Sequence, residues 1–256
     1  MKTAVNLKTP TIDINEVSRY KEVSDIWWNT SGKVRGLHSL NRIRVPLVTD
    51  AIVKNGHKIS DPSQPLKGIS IIDVGCGGGI LTEALARTGA TMTGIDPSLE
   101  LIMVAKEHAS LDSSLSKNLN YIQTSVDELV QTNTKKYDAV VSSEVLEHVM
   151  DQEMFIKYCT ELLRPGGVII LTTINKTFIS WFWGIIVAEY ILKFIPKGTH
   201  DWNKFISPSD TQGLLKKYNC ETTSLQGMVY NPLKNVWNWS SWTSIFYAIQ
   251  AIKKVD

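Results

Sequence analysis

A short apolar run, Ile71 to Val74, ends in Gly75-Cys76-Gly77-Gly78-Gly79 and passes into an amphipathic stretch that begins at Ile80. That order of apolar strand, glycine loop and helix restricts the fold more than any other stretch of the chain. Glycines at 75, 77, 78 and 79 remove the Cβ atoms that would keep the backbone from turning sharply or from touching a flat or charged ligand. In an open α/β sheet the carboxyl end of such a strand lies at the topological switch point, where ligands bind.

The segments that follow keep the same alternation. Periodicity predicts strands over 69–74, 91–95, 120–124, 139–142 and 168–173, separated by helices over 80–87, 99–108, 126–129 and 152–163. This rhythm builds a parallel sheet covered on both faces, because each crossover returns the chain to the same edge direction. The core is therefore expected to be a doubly wound α/β domain. Upstream, Glu16 to Trp28 sets Val17, Tyr20, Val23, Ile26 and Trp27 at helical spacing, and Leu40 to Lys54 forms a second expected helix with Pro46 near its start. Ser60, Pro62, Ser63 and Pro65 mark a turn-rich linker, so residues 1–68 are assigned to an N-terminal helical cap and linker and 69–256 to the main domain. After Asn175 the alternation breaks into an insertion over 176–206, then a helix near 208–218 and antiparallel strands near 221–230 and 244–251.

Composition excludes several functions. With 27 Lys and Arg against 25 Asp and Glu, the formal charge of +2 supplies no cationic footprint for a nucleic acid, and none is expected as a partner. Cys76, Cys159 and Cys220 are widely spaced without a CxxC pair, which suggests neither a zinc site nor a disulfide framework. No apolar segment of the secretory type follows Met1, and residues 1–12 hold only Lys2 and Lys8 as charges, too little to identify a transit peptide.

The loop also narrows the cofactor. A dinucleotide fingerprint G-x-G-x-x-G needs a third glycine at position 80, which is Ile80. Asp96 closes the second strand 21 residues after Gly75, where a carboxylate can accept hydrogen bonds from both ribose hydroxyls of a nucleoside. A ribose-bearing cofactor without a pyrophosphate fits best. Asp73 is either structural or an acceptor near the cofactor's amino group.

A second site is expected after the fourth strand, where Ser143 runs into Glu144-Val145-Leu146-Glu147-His148. If this segment is a helical turn, Glu144, Glu147 and His148 share one face. Two carboxylates and an imidazole can hold Mg²⁺ or Mn²⁺, or admit Zn²⁺, and Mg²⁺ is favoured because no thiolate is offered. Without a metal, His148 or Glu147 can act as general base.

Asp73 through Gly79 followed by Gly94-Ile95-Asp96, with Arg164-Pro165-Gly166-Gly167 ahead of the fifth strand, resembles the class I S-adenosylmethionine-dependent methyltransferases. Longer stretches narrow the resemblance. Trp27-Trp28, residues 36–44, residues 143–148, Thr172 to Asn175, Pro196 to His200 and Tyr230 to Pro232 are similar to the O-methyltransferase family of ubiquinone (coenzyme Q) biosynthesis, over residues 16–251. Val45-Pro46, Ile174 to Lys176 and Trp239-Ser240 look like its eukaryotic, mitochondrial branch. The resemblance implies a Rossmann-like, mostly parallel sheet of seven strands. It implies methylation of a polyprenylated catechol, both a dihydroxybenzoate and a demethylubiquinol, by S-adenosylmethionine. It places Arg44, Gly75, Asp96 and Ser143 at the cofactor, to which the loop itself adds Asp73 and Gly77, and Glu144, Glu147 and His148 at Mg²⁺. It further implies peripheral contact with the matrix side of the mitochondrial inner membrane, in a complex with other proteins of the pathway.

Phe178 to Ile195 is strongly apolar, with Glu189 and Lys193 one turn apart. Its composition suits either a helix on a membrane surface or a buried lid over an isoprenoid pocket, and it is barely long enough to span a bilayer. Two competing functions remain at this level. One is a nicotinamide-type oxidoreductase, against which Ile80 stands. The other is a non-catalytic assembly subunit, against which the retention of Arg44, Glu144, Glu147 and His148 stands.

Overall fold

The computed structural model describes residues 11–13, 24–132, 136–180 and 202–255. Five strands, β1 (Ser70–Val74), β2 (Thr91–Asp96), β3 (Leu119–Gln123), β4 (Tyr137–Ser143) and β5 (Leu163–Ile174), pair in parallel. β6 (Cys220–Asn231), β7 (Val236–Ser240) and β8 (Phe246–Lys253) complete the sheet in the order β3-β2-β1-β4-β5-β8-β6-β7, with β8 antiparallel to both β5 and β6. The order reverses between β1 and β4, which sets the switch point beside the glycine loop.

Among the described residues the sheet therefore has eight strands, one more than the seven expected. The extra strand is β7, which folds back on β6 through a tight turn in which Asn235 takes a left-handed φ of 49°. Its alternating Val236, Trp237, Asn238 and Trp239 carry the β-branched and aromatic signature of a strand, overlooked because a turn cluster isolates them. The expected turn Arg164 to Gly167 also differs: these residues lie inside β5 as an irregularity, where pairing jumps from Tyr137–Leu163 to Ala139–Val168.

Among the described residues, six helices of seven residues or more cover the faces: α1 (Arg35–Lys54), α2 (Ile80–Ala86), α3 (Leu99–Ser110), α4 (Val126–Thr132), α5 (Gln152–Leu162) and α6 (Pro208–Lys217). Ser98, Asp151 and Ser207 cap α3, α5 and α6 by accepting backbone N–H bonds with their side-chain oxygens. α1 starts five residues earlier than expected, so Pro46 lies in its interior rather than near its start. A proline there costs about 3 kcal/mol. Burial of Leu40, Ile43, Leu47, Val48, Ala51 and Ile52 offsets that cost, since they pack with Ile71, Ala139, Val168 and Ile170 of the sheet. α4, α5 and α6 cover the opposite face through Val140, Ile169, Leu171, Ile249 and Ala251. Odd and even positions of β5 thus belong to different layers, which decides the site below.

Of the first expected helix, the described residues hold a 3-10 turn, Ser24–Ile26, and 14–23 lie outside them. Phe178–Ser180 is a helical turn at the start of the apolar insertion, whose residues 181–201 also lie outside them. Among the described residues no helix is long and apolar enough to cross a membrane.

The β6–β7 edge is closed by the chain crossing back over Gly227, where a Cβ would sit 1.8 Å from the backbone oxygen of Trp242. Gly227→Ala is expected to lower unfolding free energy by about 1–3 kcal/mol, the usual cost of overpacking, in a urea titration.

Candidate active site

The glycine loop is tied to β2 before any ligand is considered. The N–H groups of Gly75 and Cys76 both donate to the carbonyl of Ile95, at 2.9 Å each. Gly79 takes a φ of +88°, and a Cβ there would lie 2.2 Å from the Tyr121 hydroxyl, so glycine is required on both conformational and steric grounds. Asp96 fastens the loop from below. Its Oδ2 accepts from the Gly77 N–H and its Oδ1 from the Ser98 N–H, both at 2.9 Å. An ionised carboxylate has about four lone-pair directions, so two acceptor positions are still on offer to hydroxyls in the cavity.

Asp73 hangs from the preceding strand, buried, and its Oδ2 accepts from the Thr82 hydroxyl at 2.7 Å. Burial pushes the carboxyl of Asp73 up to about 6, opposed by that hydrogen bond and by Arg44. Asp96 also rises to about 6, again because of burial, against its two backbone donors and with Asp73 adding to the rise.

Arg44 projects from α1 into the same region and is almost completely buried. Its Nη2 donates to the Leu37 carbonyl at 2.9 Å and to Asn41 Oδ1 at 2.6 Å, and its Nη1 to Ser143 Oγ at 2.9 Å. Burial lowers its pKa to about 10, still far above neutrality, with Glu144 and Asp73 holding it up. Ser143 Oγ lies 2.7 Å from Thr172 Oγ1, and Thr172 Oγ1 donates to Glu144 Oε1 at 2.8 Å. Donor bookkeeping orients the chain: a guanidinium only donates and a carboxylate only accepts, so every hydroxyl proton points from Arg44 toward Glu144. A buried cation and an anion at the cavity wall are thus joined through two polarised hydroxyls.

The expected helical face of Glu144, Glu147 and His148 is not what the structure holds. Glu144 sits at the strand end, outside any helical turn, with φ 58°, an uncommon conformation for a residue with a side chain. Only Leu146–His148 forms a 3-10 turn. Glu147 Oε2 accepts from the Thr173 hydroxyl at 2.6 Å, whereas Glu144 is bound to Thr172. Because Thr172 and Thr173 are consecutive on β5, they face opposite layers, and the two carboxylates are drawn apart across the end of the sheet. Among the described residues no group of three His, Cys, Asp or Glu is gathered so that it could hold a metal ion. The chemistry of the set still suits a hard divalent cation, since both carboxylates and His148 line one cavity. Glu144 and Glu147 each accept a bond from a neutral hydroxyl, worth about 1.5–3 kcal/mol.

That cavity has a volume of about 980 Å³ and is continuous from the cofactor loop to an aromatic end. Gly75, Gly77, Asp96, Ser98 and Ser125 line the first part, and Tyr230, Trp237 and Phe246 the last. There the Tyr230 and Trp237 rings stack with centroids 4.9 Å apart, and Phe246 meets Trp237 edge-on at 5.0 Å.

Residues 47–225 match the family model described as a methyltransferase domain. The ubiquinone biosynthesis O-methyltransferase, mitochondrial, of Rattus norvegicus is 44% identical over 95% of this chain and 70% of its own length. The human protein of the same name is 43% identical over 95% of this chain and 66% of its own length. A ubiquinone biosynthesis O-methyltransferase of Pelagibacter ubique is 39% identical over 94% of this chain and 98% of its own length. The chain belongs to the ubiquinone biosynthesis O-methyltransferase family. It is an S-adenosylmethionine-dependent O-methyltransferase, and it spans about two thirds of the length of its mammalian relatives. The fold agrees: magnesium protoporphyrin IX methyltransferase of Synechocystis PCC 6803, solved with bound SAH, superposes with a TM-score of 0.62 at 17% identity, covering 93% of this chain and 100% of the other.

For this methyltransferase, the structure gathers all the residues expected at the cofactor, Arg44, Asp73, Gly75, Gly77, Asp96 and Ser143, on one cavity wall or directly behind it. Sequence reading missed Thr82, Asn41, Thr172 and Thr173 as the partners that hold them, because a lone hydroxyl or amide has no periodic signature. It also missed that Thr11, Ile12 and Asp13 line the cavity, with Thr11 donating to the buried Asp127 at 2.5 Å.

The raised carboxyls make a pH signature. Folded Asp73 and Asp96 hold protons between about pH 4 and 6 that the unfolded chain has released, so the stability this adds is complete below 4 and lost as pH rises through 6. Ribose hydroxyls donating to Asp96 favour its ionised form, so the sign for ligand is reversed. S-adenosylhomocysteine affinity is expected to increase about tenfold from pH 5 to pH 7.5 by calorimetry. In Asp96→Asn this slope should vanish and affinity should fall by about tenfold or more; a slope unchanged in that variant assigns the titration to Asp73.

Proposed function

We propose that this O-methyltransferase acts on a polyprenylated catechol of ubiquinone biosynthesis, methylating a dihydroxybenzoate and a demethylubiquinol, in the mitochondrion at the matrix face of the inner membrane. The observation that carries the acceptor class is the single cavity running from the cofactor loop to the Tyr230, Trp237 and Phe246 wall, which offers an aromatic ring a stacking surface. The mitochondrial relatives at 43–44% identity support the pathway and the compartment. Peripheral membrane contact and association with other proteins of the pathway belong to the same proposal, since a greasy acceptor must be collected from lipid.

The chemistry asked of the protein is modest. The sulfonium of S-adenosylmethionine already activates its methyl group, so the chain must hold donor and acceptor in line and remove a phenolic proton. Alignment can supply about 7–11 kcal/mol in well-oriented cases. Asp96 and the loop fix the nucleoside end, while the Arg44–Ser143–Thr172–Glu144 chain stiffens the wall where the acceptor oxygen must approach. Glu144 and Glu147, once released from Thr172 and Thr173, would with His148 hold Mg²⁺, which when bound would lower the pKa of a catechol hydroxyl. A second reading is favoured by the anchoring of both carboxylates on Thr172 and Thr173: His148, which is less buried than Glu147, accepts the phenolic proton by itself.

A methyl-transfer assay with a short-tailed dihydroxybenzoate separates the outcomes. Turnover of this acceptor is expected, reduced by EDTA and restored by Mg²⁺; turnover indifferent to EDTA leaves the His148 reading, and no transfer to either catechol class overturns the acceptor proposal. Glu144→Gln is expected to lower kcat by about tenfold to a thousandfold with the SAH dissociation constant within about threefold of the parent.

A further inference from the structure

Trp27 and Trp28 lie far from the glycine loop in sequence but cover it in the fold. Cβ atoms built on Gly77 and Gly78 would meet the Trp27 ring at 2.6 and 2.3 Å, so the indole rests directly on the bare backbone of the loop. Trp27 also lines the cavity, whereas Trp28 does not. Trp28 instead ties this strap down: its Nε1 donates to the Gly78 carbonyl at 3.0 Å, and its ring lies on the His108 imidazole with centroids 3.3 Å apart and planes 2° from parallel. His108 is itself held at the end of α3. Its Nδ1 bonds the Glu83 carboxylate at 2.8 and 3.0 Å, and Glu83, fully buried on α2, also receives Arg87 Nη2 at 3.0 Å. From the other side, His38 of α1 meets the Trp28 ring edge-on at 5.5 Å and bonds the Trp27 carbonyl through Nε2 at 2.9 Å.

We propose that Trp28 and His108 are positioning residues for the cofactor: they clamp the Trp27 strap onto the glycine loop and so set the cavity wall against which S-adenosylmethionine is bound. Neither touches the cavity. They act through Trp27, whose ring has on one side the glycine backbone and on another the space the cofactor must share. The stack has the features of a built contact rather than incidental packing. A carboxylate acceptor requires His108 to donate from Nδ1, which fixes the ring plane, and that plane is the one on which Trp28 lies. Loss of the coplanar stack together with the Trp28 hydrogen bond is expected to change a ligand affinity by about tenfold or more.

The test measures S-adenosylhomocysteine binding by calorimetry and steady-state kinetics with S-adenosylmethionine varied, in Trp28→Ala, Trp28→Phe and His108→Gln, each at a temperature where the melting curve shows it folded. Trp28→Ala is expected to raise the SAH dissociation constant and the KM for S-adenosylmethionine by about tenfold, with kcat and the acceptor KM within about twofold of the parent. Trp28→Phe keeps a ring on His108 but deletes the bond to Gly78, and should raise the dissociation constant by about threefold to fivefold. His108→Gln keeps a donor for Glu83 but removes the ring, and should behave similarly, with the melting temperature lowered by no more than about 4 °C. Dissociation constants within twofold of the parent in all three folded variants, or equal losses in acceptor KM and cofactor KM, would overturn the proposal. Parent binding of SAH reports separately on the cofactor site, so the clamp can fail while that site stands.

Discussion

The placement of one buried cation organises the site. Arg44 leaves water almost completely, and a guanidinium can do so only if its donors are satisfied and a negative charge is near. Leu37 and Asn41 supply acceptors from the same helix, and Ser143 and Thr172 relay the charge to Glu144. The relay joins α1 to the carboxyl ends of β4 and β5, which makes the N-terminal helix part of the cavity wall. Removing any one link would leave a buried polar group unsatisfied, a larger loss than the net worth of the bond itself.

The glycine loop depends on a different physical effect, the absence of side chains. Its backbone is held by Ile95 and Asp96, and the room left by the missing Cβ atoms is filled by Trp27 and Tyr121 rather than by solvent. Every Trp of the chain lies outside residues 29–180, and those at the cavity have distinct tasks. Trp27 and Trp28 cover the glycine loop, while Trp237 lines the aromatic end of the cavity.

Much of the sheet was legible because parallel strands buried on both faces leave short apolar runs, and these matched the observed strands to within a residue or two from β1 to β4. The errors share a cause. Pro46 argued for a late helix start, and the turn residues around 164–167 argued for a late start of the fifth strand, but packing of α1 on the sheet and pairing with β4 outweighed both local preferences. The metal-type triad failed as a helical face because Glu144 takes a left-handed backbone conformation at the strand end.

By itself the sequence determined the strand–loop–helix at residues 70–86, the identity of the acids at 73 and 96, and the cluster of Glu144, Glu147 and His148, since periodicity, glycine content and side-chain chemistry are local properties. Only the tertiary structure decided which groups those residues meet. Thr172 and Thr173 are neighbours in the chain yet serve opposite layers of the sheet, and they carry Glu144 and Glu147 with them. Arg44 finds Ser143 across 99 residues, and Trp28 finds Gly78 across 50. Contacts at such separations depend on strand order and helix placement, which emerge from the packing of the whole core and leave no mark on any short window of sequence.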